Sequence, residues 1–288
     1  MKKKVLCLCL TIVLLFLCSS VSCAEAPSPE IVRPSSVVIQ DMRDVLLERA
    51  YPEAYLDSLA EDQLTNLYDF VLEKDAYFYS WETNVANDGN VQPLGNIPTD
   101  ELTFDTVLSL KTEKVSGVTY IAEVYVTLTY KWTKLPFMRD NDAIAINWDS
   151  NKLVYDSDSF VAHTEYLRPS NSTWVKTTLS KPASLKQGGL GFFVDLRYSE
   201  HMMGTTVQAI GFRGDAYFTL LPDPLDSMEH LPSYPNGSST TINAEYVHNK
   251  NTLASLSFTA SGVSVSITPR SSVDTRATSS TLRYTPHK

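Results

Sequence analysis

The sequence predicts a mainly β fold with an N-terminal α-helical hairpin in front of it, so that the protein is α+β overall. Apolar and polar residues alternate in several short runs between residues 101 and 268, which is the period of a half-buried strand. One earlier stretch repeats apolar residues at helical spacing instead. No helical pattern falls between the strand runs, as a parallel sheet would need. We therefore expect an antiparallel sandwich, or two paired antiparallel sheets.

The first residues have the layout of a secretory signal peptide. Three lysines follow Met1, the residues from Val5 to Leu17 are almost wholly apolar, and small residues surround Ala24. The apolar run is shorter than the roughly 20 residues that a membrane-spanning helix needs. We therefore expect residues 1–24 to direct export and to be cleaved, leaving a secreted, extracellular protein with no transmembrane segment.

Lipidation at Cys23 is the alternative fate of this leader. Residues 21–23 resemble the end of a bacterial lipoprotein box, but Ser20 stands where that box has an aliphatic residue. Plain secretion is therefore favoured, and a lipid anchor at the outer face of the cell membrane is the alternative. All four cysteines lie within residues 1–23, so the exported part is expected to be free of disulfides and of cysteine-ligated metal.

The charge of the chain is acidic and spread along its length. The formal charge is −9, and loss of the three leader lysines would leave −12. No basic cluster lies beyond the leader, which argues against a nucleic-acid partner.

The helical segment is expected within residues 37–80, behind a linker at residues 25–36 that is rich in proline and serine. Five apolar residues define one face of its main helix: Leu64, Leu67, Tyr68, Val71 and Leu72. That helix is expected to end near Lys74. At its start, residues 58–61 have the spacing of a capping box.

The strand-rich, sandwich-like domain is expected over residues 101–268. Its clearest strand spans residues 118–132, where one face is apolar and the other is rich in threonine. Glycine-containing turns are expected at residues 188–191 and, between two strands, at residues 214–215. Residues 269–288 are polar and are expected to form a disordered tail or one late edge strand.

No catalytic motif can be named from the sequence. It lacks a GxSxG nucleophile elbow and an HExxH zinc motif, and its five histidines are scattered. Catalytic residues therefore stay unknown, and these patterns predict no cofactor.

Clustered acids are the most suggestive polar feature. Asp140 and Asp142 precede a short apolar run, and Asp149 follows it. Loop carboxylates of this kind can bind calcium, and two of them can flank a scissile glycosidic bond. The spacing fits no EF-hand, and aspartate is common in turns, so turn chemistry is the favoured interpretation. The three acids are kept as candidate binding residues, with calcium as the one possible metal.

Two tryptophans are candidates for a binding surface. Trp148 directly precedes Asp149, and Trp174 follows the polar stretch 168–173. Exposed aromatic rings offer a large, rigid apolar face on which sugar rings stack. The competing interpretation is that both fill the core and its rim.

These observations favour a secreted, non-catalytic protein that binds a cell-surface polymer or an extracellular protein partner. The reason is a sizeable β domain without a nucleophile, metal or cofactor motif. Two alternatives stay open. One is a secreted glycan hydrolase that uses two carboxylates. The other is a toxin or pore-former, for which the long threonine-rich strand at residues 118–132 is a hint.

Overall fold

The computed structural model describes residues 36–83, 95–223, 227–230, 237–250, 256–261, 264–268 and 273–287. The chain divides into two units, Met1–Val38 and Ile39–Lys288, and nearly all of the described residues fall in the second. The expected signal peptide, Cys23 and nearly all of the expected linker lie outside the described residues.

Three helices open the described chain: α1 (Ser36–Glu48), α2 (Glu53–Ser58) and α3 (Glu61–Lys74). At the start of α3 the Ala60 N–H donates to Gln63 Oε1 at 3.1 Å, and Asp75 ends the helix in the left-handed conformation. Ser58 instead closes α2, because its Oγ donates to the Tyr55 carbonyl at 2.6 Å. The predicted main helix is therefore present with its end near Lys74, but Ser58 is not its cap.

Eighteen strands follow among the described residues: β1 (Tyr77–Thr83), β2 (Gly95–Asn96), β3 (Leu102–Val115), β4 (Val118–Trp132), β5 (Asn141–Asn147), β6 (Leu153–Tyr155), β7 (Val161–Leu167), β8 (Trp174–Leu179), β9 (Ser184–Lys186), β10 (Gly189–Asp195), β11 (Ser199–Met202), β12 (Thr205–Gln208), β13 (Phe212–Pro222), β14 (Ser227–His230), β15 (Ser238–Asn249), β16 (Ser257–Ser261), β17 (Ser264–Thr268) and β18 (Val273–His287).

One curled, almost wholly antiparallel sheet contains most of these strands. Its main path runs β8-β7-β13-β4-β14-β18-β15-β5-β10-β9, with β3 and β1 continuing from β4 and β6 beside β13. The short β2 pairs with β18 in parallel. The hairpins β11–β12 and β16–β17 stand outside this sheet. The mainly β, antiparallel prediction is confirmed, whereas a sandwich of two separate sheets is not.

The inner face of the sheet carries the main apolar core, and the outer face of β3, β4 and β13 carries the helices. In β4, Val124 and Val126 point inward and are fully buried, as are Leu110 and Leu108 opposite them in β3. Tyr125 faces outward between those valines, and Phe70 of the helical segment packs edge-on against it at 5.5 Å. Because each fully buried apolar side chain contributes roughly 1.5–3 kcal/mol, the period of two seen in the sequence is what holds these strands in register.

Three local expectations differ from the structure. Gly214 and Asp215 lie inside the continuous strand β13 rather than in a turn. The first strand begins at Tyr77, so the expected helical segment 37–80 ends in a strand. The expected polar tail 269–288 contains β18, which lies between β14 and β15 in the sheet. Buried residues of β18 include polar ones, such as Thr278 and Ser280, as well as apolar Leu282. The strand forms without an apolar pattern because the ladder hydrogen bonds do not depend on apolar side chains.

Candidate functional site

The acids that flank β5 lie at opposite ends of that strand. Asp142 is its second residue, and Asp149 lies just beyond its last residue, Asn147. Seven steps of an extended chain separate the two acids by roughly 20 Å. The structure therefore does not bring these carboxylates together into one site.

Asp142 belongs to a buried hydrogen-bond network. Its side chain is 0% exposed. Tyr246 donates its hydroxyl to Asp142 at 2.7 Å, the Asn249 N–H donates at 3.1 Å, and His248 Nδ1 lies 2.9 Å from Oδ1. Burial raises the pKa of Asp142, and the bonds from His248 and Tyr246 oppose that rise. Asp140 lies beside this network and accepts from Asn249 Nδ2 at 3.4 Å.

Trp174 does not present a free ring face on both sides. The guanidinium carbon of Arg213 stands 3.8 Å from the centre of its ring, and the ring edge packs on Gly211. The ring is half-buried, and its neighbours on β8, Val175 and Lys176, pair with β7. Arg213 therefore already occupies the surface on which a sugar would stack.

A polar groove of about 420 Å³ lies at the other end of β5, where Trp148 and Asp149 stand. Its lining comes from β5, β15, β17 and the residues after β5: Asn147, Trp148, Asp149, Ser239, Thr240, Thr241, Asn243 and Ser264. Within the part of the chain that the structure describes, Asp149 is the one ionisable side chain of this lining. We call this feature the polar groove.

Strand pairing places Asn147, Thr241 and Asn243, which line the groove, on the outer face of the sheet. Asn243 of β15 is the register partner of Asn147 in β5, and the next pair, Ala244 and Ile146, points into the core. Because side chains alternate along a strand, Thr241 lies on the same outer face as Asn243. The buried alternate residues anchor the strands while the polar ones line the groove.

The hairpin β16–β17 forms one wall of the groove and is fixed to the sheet by Asn147. The Asn147 amide donates to the Val265 carbonyl at 2.9 Å and accepts from the Val265 N–H at 2.8 Å. A Cβ on Gly189 would lie 2.3 Å from Asn147 Oδ1, and one on Gly191 would lie 2.3 Å from the Phe258 ring. The glycines in the expected turn 188–191 thus permit the hairpin to pack closely on the sheet.

The floor of the groove contains two buried polar atoms without a partner. Trp148 is 5% exposed and packs against Phe218 at 5.9 Å. Its indole Nε1 and the hydroxyl of Thr240 have no hydrogen-bond partner among the residues that the structure describes. Asp149 stands exposed at the rim, where it accepts the Asn151 N–H at 2.9 Å. The groove thus offers amides and hydroxyls, with one carboxylate at its edge.

Sequence reasoning named two of the groove residues, Trp148 and Asp149, and missed those of β15. The signal for them is the alternation from Ser239 to Ala244, in which Ser239, Thr241 and Asn243 are at least partly exposed. Thr240, Ile242 and Ala244 are buried. Only the pairing of β15 with β5 shows that this polar edge meets Asn147.

Two kinds of site are absent from the described ranges. No group of three or more His, Cys, Asp or Glu side chains there is arranged to hold a metal ion. None of the helices within those ranges is long and apolar enough to cross a membrane.

Two carboxyl groups do meet elsewhere in the molecule. Asp62 of α3 and Glu165 of β7 both accept hydrogen bonds from Arg213. The Glu165 side chain is only 1% exposed, so this pair is closed to a polymer substrate.

Comparison with known proteins gives distant structural likenesses only. No protein-family model matches the chain, and no curated protein sequence matches it. Among solved structures, Clostridium perfringens delta-toxin is similar with a TM-score of 0.30 and 8% identity over 74% of this chain and 93% of that one. The C-terminal domain of the Streptococcus agalactiae AgI/II polypeptide BspA has a TM-score of 0.26 and 10% identity over 61% and 57%.

A mutant of a family 29 carbohydrate-binding module, solved with mannohexaose, has a TM-score of 0.19 and 9% identity over 50% of this chain and 91% of that one. At such scores none of these likenesses supports an argument about fold or function.

Proposed function

We propose that the exported chain is a non-catalytic extracellular protein that binds a cell-surface polysaccharide in the polar groove. One observation carries the proposal. The groove is open and lined almost entirely by uncharged amide and hydroxyl groups. Such groups both donate and accept hydrogen bonds, which is what the hydroxyls of a sugar require. A protein partner, the other expectation from the sequence, would more often bury an aromatic or arginine anchor.

The carboxylates favour binding over hydrolysis. Most glycoside hydrolases need two carboxyl groups on either side of the scissile bond. Asp149 is the only carboxylate among the described residues that line the groove, while Asp142 is buried about 20 Å along the strand. The carboxylate-dependent hydrolase remains the alternative, and the experiment below separates it from a binder.

The charge of the protein favours a neutral polymer. The exported chain would carry a formal charge of −12. Among the described residues that line the groove, Asp149 stands at the rim and there is no lysine or arginine. The groove therefore favours the uncharged sugar units of a polymer over its anionic groups. Binding of a neutral glycan depends on hydrogen bonds and changes little with ionic strength.

Export and architecture complete the proposal. Cleavage after residue 24 would release the groove outside the cell, and lipidation of Cys23 would instead hold it at the membrane surface. We also infer that the curled sheet folds over on itself like a sandwich, and the contact between the hydroxyls of Thr106 in β3 and Thr278 in β18 supports this inference. In that arrangement the helices pack on the outer face of one layer, and the groove lies on the outer face of the other.

Co-sedimentation with isolated bacterial cell-wall sacculi tests the proposal. Asn243→Trp fills the groove from an exposed position on β15, and Thr177→Trp adds the same bulk at an exposed position on the edge strand β8. The wild type and Thr177→Trp should sediment with sacculi at both about 50 mM and about 500 mM salt, and Asn243→Trp should stay soluble.

Four results would overturn it. Equal sedimentation of the two variants would show that the groove is not the binding site. Released sugar fragments in the supernatant would establish the hydrolase, and leakage of liposomes with the purified protein would establish the pore-former. Loss of binding after protease treatment of the sacculi would point to a protein partner instead.

A further inference from the structure

We propose that Asp62 and Glu165 share one proton, that this proton fastens α3 to the sheet, and that its loss at mildly alkaline pH loosens the helix. The device would make the helical layer a pH-sensitive cover of the outer face of β7 and β13. It involves none of the residues of the polar groove, so it stands independently of the proposed function.

Arg213 holds one oxygen of each carboxyl group. Its Nε donates to Glu165 Oε2 at 2.7 Å, and its Nη2 donates to Asp62 Oδ2 at 2.6 Å. Glu165 lies in β7, Arg213 opposite it in β13, and Asp62 in the first turn of α3. The guanidinium therefore joins the helix to two strands.

The remaining oxygens require a proton between them. Glu165 Oε1 and Asp62 Oδ1 are both buried, and neither has a donor among the described residues. The two carboxyl groups bond the same guanidinium through their other oxygens, so a proton between these two would satisfy both, because a protonated carboxyl group donates and an ionised one accepts. One shared proton gives both oxygens a partner and leaves one negative charge beside one guanidinium.

The proton resides on Glu165. Burial and the neighbouring Asp62 raise the pKa of Glu165 to about 8, although Arg213 opposes the rise. Burial also acts on Asp62, but the hydrogen bonds from Glu165 and Arg213 lower its pKa below the ordinary value. Two neighbouring carboxyl groups cannot both be ionised without a cost in free energy, because their negative charges repel. One of them therefore stays neutral at neutral pH.

Among the described residues around the cluster, no second cation replaces the proton. Lys176 lies opposite Glu165 in β8, but its Nζ donates to Asn66 Oδ1 at 2.9 Å. The Trp174 ring covers Arg213 on one side. The other titratable groups that face the cluster come from α2, β4, β7 and β13: Tyr55, Tyr130, His163, Asp215 and Tyr217.

Loss of the proton would act on α3 because this helix is held by polar contacts along the same face. Gln63 Nε2 donates to the Gly214 carbonyl at 3.0 Å, and Asn66 Nδ2 donates to Asp215 Oδ2 at 3.0 Å. Ionised Glu165 would place a second buried carboxylate against Asp62 at the start of the helix. Repulsion there would weaken these two contacts and the bond between Asp62 and Arg213.

The sign of the pH effect follows from the shift in pKa. Glu165 has a pKa near 4.5 when unfolded and about 8 in the folded protein. Its stabilising contribution is therefore complete below about pH 4.5 and is lost as the pH rises through about 8. The lowered pKa of Asp62 acts in the opposite direction, but only at pH values below its ordinary value near 3.8.

Hydrogen exchange of the α3 amides, measured on the full exported chain, tests the proposal. After correction for intrinsic exchange, protection of the amides in residues 64–74 should fall by up to about tenfold per pH unit from about pH 5 to about pH 8. Glu165→Gln should show no such fall, because a neutral amide can donate to Asp62 at every pH. Glu113→Gln, the same change at an exposed position of β3, should behave as the wild type.

A carboxyl NMR titration of the wild type gives a second readout that needs no variant. Glu165 should titrate near neutral or mildly alkaline pH. Titration of Glu165 at its ordinary acidic pH, or α3 protection that is unchanged across the range, would overturn the proposal. The proposal also fails if Glu165→Gln keeps the wild-type pH dependence.

Discussion

Two polar regions on the outer side of the sheet differ in how their groups are satisfied. Under α3, the side chains of Asp62, Glu165 and Arg213 are charged or share a proton, and they bond to one another. In the polar groove the side chains are mostly uncharged, and several are open to solvent, as with Ser239 and Asn243. In the first region the polar groups form hydrogen bonds with one another. In the second they are available to bond a ligand. Burial and internal pairing, rather than polarity, distinguish a structural cluster from a binding site here.

The largest expected effect comes from removing the cation of the closed region. Arg213→Met leaves the buried carboxyl group of Glu165 and the half-buried one of Asp62 without their shared donor, so the free energy of unfolding should fall by about 3–5 kcal/mol. Urea unfolding near neutral pH measures this loss. Arg197→Met is the matched control, because Arg197 forms an exposed pair with Asp195 and should cost less than about 1 kcal/mol. Equal losses in the two variants would mean that the cluster under α3 is not structural.

A smaller loss is expected from crowding the wall of the groove. In Gly191→Ala the added Cβ would lie 2.3 Å from the Phe258 ring, so the hairpin β16–β17 must shift, at a cost of about 1–3 kcal/mol. The same substitution in a Phe258→Ala background should be nearly neutral. A double-mutant cycle of unfolding free energies measures the coupling, and additive losses would show that the hairpin does not pack here.

Loss of the Asn147 side chain should affect stability and binding together. Asn147→Ala removes both hydrogen bonds to Val265, and we expect a decrease of about 1–2 kcal/mol in the free energy of unfolding. Because the wall then loosens, sedimentation with sacculi should also weaken. If stability falls while binding is unchanged, the hairpin wall has no part in the site.

The smallest effect on stability should accompany the largest effect on binding. Asn243→Trp changes an exposed strand position, so its free energy of unfolding should stay within about 0.5 kcal/mol of the wild type. Thermal or urea unfolding of this variant, measured beside the sedimentation assay, separates blocking of the groove from unfolding. A large loss of stability would contradict the exposed placement of Asn243.

The sequence predicted the apolar parts of the molecule well for a physical reason. Strand β4 matches its expected bounds because its inward residues recur at period two over a long run. The helix α3 was equally clear from its apolar face. Both patterns are local, because the spacing of apolar residues close together in sequence determines which side of the strand or helix is buried.

The missed features depend on partners distant in sequence. Strand β18 has few apolar residues, and it is a strand because β14 and β15 bond to it on both sides. The sequence predicts a turn at Gly214, but this glycine is needed inside a strand, where a Cβ would meet the Tyr130 ring. The closed cluster joins Asp62 to Arg213 across 151 residues, a distance over which local patterns carry no signal.

Hydrogen–deuterium exchange of the wild type, alone and bound to sacculi, most directly tests whether the open region binds and the closed region does not. At constant pH, binding should slow exchange in residues 145–149 and 239–244, which line or border the polar groove. Exchange in α3 should be the same in both samples. Protection centred on α3 or on the hairpin β11–β12, with none at the groove, would contradict the assignment of binding to the polar groove.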